Sequence, residues 1–214
     1  MPVSLDSVRE RDRQDPLADF KSHFALPEGV LYLDGNSLGA QPKAAKQAVD
    51  ETLDQWRDQL IKGWNQGWFD APERLGNLLA PVIGAQRGEV SVTDNITLNI
   101  FKLLGYILGQ GKEGRQAVLS EGGNFPTDGY IAQGYCQVSG AEHRFLPEGG
   151  NLAEHLDGVA VVVLSQVNYR TGKLRDIATT TKLVHDHGAE VIWDLAHSAG
   201  ALPIDLNGCG ARYA

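Results

Sequence analysis

Between Glu89 and Trp193 short apolar runs alternate with helical stretches, and that alternation constrains the fold more than any other feature of the chain. Candidate strands are Glu89–Val92, Ala117–Ser120, His143–Leu146, Val159–Leu164 and Glu190–Trp193, with helices beginning near Asn95, Thr127, Asn151 and Ile177. Apolar strands separated by helices build a parallel sheet covered on both faces. The predicted fold class is α/β with a mainly parallel sheet. Ligands of such sheets gather at the carboxyl ends of the strands. The residues that close each strand are therefore the candidate functional residues.

Four strand ends carry usable chemistry. The last, Trp193-Asp194-Leu195-Ala196-His197, places an acid and an imidazole in a turn of small residues. Two readings fit Asp194: a cap for the following turn, or a buried carboxylate matched to a cationic pyridinium nitrogen, as pyridoxal-phosphate (PLP) enzymes use it. Ser91–Thr97 passes from strand to helix with many hydroxyl and capping residues; it is either a helix cap by Thr93 or Asp94, or a phosphate cradle at a helix N-terminus. In Asn124-Phe125-Pro126-Thr127-Asp128 the phenylalanine is either a plate for an aromatic ligand or a core residue, with Thr127 or Asp128 capping the next helix. Ser165 closes the most apolar strand, ahead of a polar loop containing Asn168, Tyr169 and Thr171. His185 and His187 stand two apart, point in different directions on a helix, and read as surface residues near its end.

The N-terminal part is organised differently. Residues 1–30 read as a polar arm with a short helix near Leu17–Phe24, followed by a strand at Val30–Leu33 and the turn Asp34–Gly39. Pro42 suits the first turn of a helix whose apolar face carries Ala45, Val49, Leu53, Trp56 and Leu60. Trp64 and Trp68 follow in a glycine-bounded loop, and Pro81 kinks or ends a helix over Leu75–Ile83. A net charge of -8 argues against nucleic acid or an acidic membrane surface as partner. No apolar run approaches membrane-spanning length, no secretory signal is visible, and the two cysteines, Cys136 and Cys209, form no framework. The expected location is cytoplasmic.

In Tyr32-Leu33-Asp34-Gly35-Asn36-Ser37-Leu38-Gly39, Asn124–Asp128, Val167–Gly172 and Trp193–Gly200 the chain resembles kynureninases, PLP-dependent hydrolases of fold type I, and their bacterial form best. The resemblance covers about residues 24–214. It implies hydrolysis of L-kynurenine, and of 3-hydroxykynurenine as a further substrate, to anthranilate or its 3-hydroxy form and L-alanine, in tryptophan catabolism and NAD biosynthesis. It also implies a homodimer.

Residue by residue, the resemblance implies that the Ile96 amide and Thr97 hold the cofactor phosphate; Ile96 lacks the hydroxyl of some relatives. Phe125 would stack on the ring, with Pro126, Thr127 and Asp128 beside it. Ser165 would touch the cofactor, Asp194 its ring nitrogen, and His197 would sit alongside. Trp64 would line the pocket for the substrate's aromatic ring. The family's Schiff-base lysine is expected beyond Ala214; Lys21, Lys43, Lys46, Lys62, Lys102, Lys112, Lys173 and Lys182 do not stand in its context. Residues 31–214 are thus expected to be a large PLP-binding domain incomplete at its C-terminus, without the small domain, and inactive alone. Competing readings are a cysteine desulfurase-like lyase of the same fold type, or a non-catalytic scaffold.

Overall fold

The computed structural model describes residues 3–111 and 114–214. It divides into two compact units, residues 1–69 and 70–214.

In the first unit, helix α1 (Leu5–Gln14) is closed at its start by a reciprocal pair, with Ser4 and Ser7 each accepting from the other's backbone amide at 3.2 and 3.1 Å. The arm helix expected near Leu17–Phe24 is a tighter 3-10 helix, Ala18–His23. Strand β1 (Phe24–Ala25) pairs antiparallel with β2 (Gln41–Pro42), which runs directly into helix α2 (Lys43–Gln59). Pro42 is the N-cap of α2, one position before the first turn. Val30–Leu33 is not a strand: it pairs with nothing among the described residues, and Leu31 and Leu33 are exposed. The turn after it is tied locally, because the Tyr32 hydroxyl donates to the Leu38 carbonyl and has the Asp34 carbonyl within reach at 3.2 Å. A 3-10 helix, Leu60–Gln66, follows α2.

The second unit holds the parallel sheet. Its strands are β3 (Ala117–Glu121), β4 (Glu142–Leu146), β5 (Val159–Ser165) and β6 (Glu190–Asp194), in the order β4-β3-β5-β6 and parallel throughout. Every residue of β5, an inner strand, and of β6, the last strand in the order, is buried, as expected of a sheet covered on both faces. Alternate residues face opposite sides. Leu119, Val162, Val191 and Trp193 meet helix α6 (Ile177–Asp186) and the 204–211 loop on one face. Val118, Val161, Val163 and Ile192 meet helices α4 (Ile96–Gly109) and α5 (Pro126–Ser139) on the other. Trp193 buries its ring without an orphaned donor, since its indole N–H reaches Thr181 Oγ1 at 3.0 Å.

Two expected elements differ. Glu89–Val92 is an irregular segment, not a strand. Its groups are used elsewhere: the Val92 amide donates to Pro72 O at 3.0 Å, and Glu89 accepts from the Gln86 amide and from Asn207. The Val90 carbonyl lies so close to helix α3 (Ala71–Leu79) that a β-carbon on Gly76 would stand 1.9 Å from its oxygen. The helix expected near Asn151 is a single 3-10 turn, Leu152–His155, because β5 begins at Val159 and leaves no room for more. At Pro81 the expected break occurs: α3 stops at Leu79 and a 3-10 turn covers Ala80–Val82.

Candidate functional site

The site is assembled by strand register. Ser165 and Asp194 are direct partners across β5 and β6, so both close their strands side by side. The Ser165 hydroxyl lies 3.0 Å from Asp194 Oδ2, while Asp194 Oδ1 accepts from the Ala196 amide at 2.8 Å. Oδ1 thus caps the turn, while Oδ2 is left to Ser165.

A second buried acid faces the first. Pro126 opens α5, whose N-cap, Phe125, supplies no side-chain bond. Asp128 is therefore not a cap; it turns inward and shares a hydrogen bond with Asp194. Burial, then the Asp194 charge, push the Asp128 carboxyl up to about 7. Both acids are buried, and neither has a cationic partner among the described residues. Two buried carboxyls with no cation beside them present an uncompensated negative charge.

Aromatic rings flank the acids. Phe125 is 44% exposed, not a core residue, and meets Tyr169 edge-on with centroids 5.3 Å apart. Tyr169 in turn stacks on His197 at 6.4 Å and 25°. His197 is half-buried and its Nδ1 is buried without a partner among the described residues. Pro126 and Thr127 are exposed beside Phe125.

Across a cavity of about 610 Å³ lies the start of α4; Ile96 and Asn99 line it together with Asp194, Leu195 and Ala196. The cap of α4 is Asn95, whose side chain accepts from the Leu98 amide at 3.0 Å, not Thr93 or Asp94. Asp94 instead pairs with Lys102, whose bond holds its carboxyl below the usual range. The amides of Ile96 and Thr97 are left without a protein acceptor among the described residues, as the first N–H groups of a helix are. Free amides at a helix start, a half-open aromatic face and an unpaired buried acid suit a ligand with a cationic ring and a phosphate.

Phe125, Asp128, Ser165, Asp194 and His197 are thus gathered, with Ile96 and Thr97 at the adjoining helix start. Trp64 belongs to the first unit, where its half-exposed ring meets Trp68 edge-on at 6.2 Å. Lys112 lies outside the described residues, and no described lysine lines the cavity that holds Asp194. Asn124 and Tyr169, named within the candidate segments but given no role of their own, also contribute. Their signals were present: an amide immediately before Phe125, and an aromatic residue in the loop after the most apolar strand.

Solved structures share this architecture. A mutant of the cystine C-S lyase C-DES, with glycine covalently linked to the PLP cofactor, matches with a TM-score of 0.76 at 22% identity, over 89% of this chain and 53% of that one. The cysteine desulfurase of Thermococcus onnurineus NA1 matches with a TM-score of 0.68 at 22% identity, over 94% and 51%. No protein-family model matches the chain. The fold is that of the fold-type-I PLP-dependent enzymes.

Within that class the sequence is similar to curated kynureninases. It is 48% identical over 205 residues to the kynureninase of Burkholderia pseudomallei strain K96243, covering 92% of this chain and 49% of the relative. To the kynureninase of Pseudomonas fluorescens it is 47% identical over 211 residues, covering 95% and 51%. The chain spans about half the length of the curated relatives it matches.

Proposed function

We propose that the protein to which this chain belongs is a kynureninase, hydrolysing L-kynurenine to anthranilate and L-alanine with pyridoxal phosphate, and accepting the 3-hydroxy substrate. The observation that carries this reading is the buried, cation-free Asp128–Asp194 pair, set opposite the free amides of α4 in a chain 48% identical to kynureninases. Asp194 Oδ2 would accept from the ring nitrogen, the Ile96 and Thr97 amides would hold the phosphate, and Phe125 would cover the ring. Ser165 and His197 would flank it, and Trp64 would meet the substrate's aromatic ring. When bound, the cofactor supplies an electron sink for the carbanion formed next to the substrate amine. Asp194, a carboxylate in a dry site, holds the ring nitrogen protonated, which keeps that sink effective.

A cytoplasmic homodimer in tryptophan catabolism completes the reading. Two free cysteines suit a reducing compartment. No helix among the described residues is long and apolar enough to cross a membrane. The exposed Val49, Leu53 and Trp56 stripe of α2 offers apolar surface to a second copy. The expected result is anthranilate released from kynurenine by the protein expressed from its complete reading frame, with sedimentation reporting a dimer. A protein that binds pyridoxal phosphate but desulfurates cysteine instead would move the function to the cysteine desulfurase-like alternative.

A further inference from the structure

Asn124 is buried in the turn between β3 and α5, and its side chain meets three other groups of the site. The Phe125 backbone amide donates to its Oδ1 at 2.7 Å, and because a backbone N–H can only donate, the two ends of the amide are assigned. Nδ2 therefore donates to Asp128 Oδ2 at 3.0 Å. The Ser165 hydroxyl donates to Asn124 Oδ1. That hydroxyl has one proton and two acceptors within reach, since Asp194 Oδ2 stands at 3.0 Å. Drawn to Asn124, the Ser165 proton is withheld from Asp194. On the other side the Asn124 N–H holds Oδ2 of Asp128, the acid that shares a hydrogen bond with Asp194.

We propose that Asn124 is the positioning residue of the acid pair: it draws the Ser165 proton away from Asp194 and holds the Asp128 carboxyl in place beside it. Asp194 Oδ2 is thereby kept as an acceptor on the cavity, ready for a cationic ring nitrogen. Asn124 acts through its neighbours and reaches neither the reacting bonds nor the substrate. The inference rests on the pyridoxal-phosphate reading above.

The test is a titration of the cofactor-free protein, expressed from its complete reading frame, with pyridoxal phosphate. Wild type is compared with Asn124→Ala, Asp128→Ala and the double variant. Each single change is expected to weaken binding about tenfold, the effect of one hydrogen bond to a charged group. The double change is expected to cost about the same tenfold, because both remove one linked device. The absorption maximum of the bound cofactor, which responds to the charges set around its conjugated ring, is expected to shift in Asn124→Ala. Should that variant fold poorly, Asn124→Ser keeps a small uncharged polar side chain that is too short to donate to Asp128, with the same loss and shift expected.

Binding within twofold of wild type, an unmoved absorption maximum, or losses that multiply to about a hundredfold would overturn the role of Asn124 and leave the proposed function standing. A wild-type protein that does not bind pyridoxal phosphate overturns the proposed function, and this inference with it.

Discussion

Ser165 and Asp194 are register partners at the carboxyl ends of adjacent parallel strands, with the serine hydroxyl 3.0 Å from the acid's Oδ2. That pairing converts two unrelated stretches of sequence into one polar centre. It also anchors the following predictions.

Replacing Asp194 by asparagine removes the negative charge but keeps the shape. The variant is expected to bind pyridoxal phosphate roughly tenfold to hundredfold more weakly, the range for losing a charge-assisted hydrogen bond. Equilibrium dialysis against the cofactor measures it. Binding equal to wild type would mean that Asp194 is only the cap of its turn.

The cofactor-free protein should lose stability as pH rises. Asp128 releases its proton near 4 when unfolded and near 7 when folded, so between those values the folded state holds the extra proton. The contribution is complete below pH 4, falls as pH climbs toward 7, and is gone above it. Asp128→Asn imitates the protonated acid, donating to Asp194 at every pH, and should flatten this slope. Urea midpoints at pH 5, 6 and 8 in both proteins check the claim; parallel slopes would refute it.

Gly76→Ala tests the packing that takes Glu89–Val92 out of the sheet. Its β-carbon would stand 1.9 Å from a backbone oxygen that cannot swing aside. A loss of about 3 kcal/mol is expected, at the upper end of overpacking costs. An unchanged urea midpoint would show that α3 and Val90 are not held together as described.

The 214-residue chain on its own is expected to give no turnover. Lys102 is engaged by Asp94 and Lys182 by Asp186, and no described lysine lines the cavity holding Asp194. Anthranilate fluorescence after adding kynurenine to the purified chain is the assay. Sustained release would show that a residue within these 214 performs the covalent step.

Much of this was legible in the sequence because the apolar runs of β3, β5 and β6 are strand-length and end in polar residues. Burial forces such runs into a covered parallel sheet, and Ser165 and Asp194 then fall on its ligand-binding edge. Glu89–Val92 misled because its alternation is real, but Gly76 admits its backbone against α3, a tertiary contact that periodicity does not carry. Asn124 was given no role of its own for a similar reason. Its bond to Ser165 joins residues 41 positions apart, so its importance depends on how β5 sits beside β3. Asp128 read equally as a cap or a ligand-side acid, and the choice turned on Pro126 opening the helix without needing a side-chain cap.

The most direct test of the whole account is the absorbance of pyridoxal phosphate added to the protein from its complete reading frame, before and after kynurenine. The expected result is a bound-cofactor band that borohydride fixes onto a lysine, with anthranilate appearing on addition of substrate. A cofactor that stays free in solution, or a bound cofactor with no anthranilate formed, would contradict it.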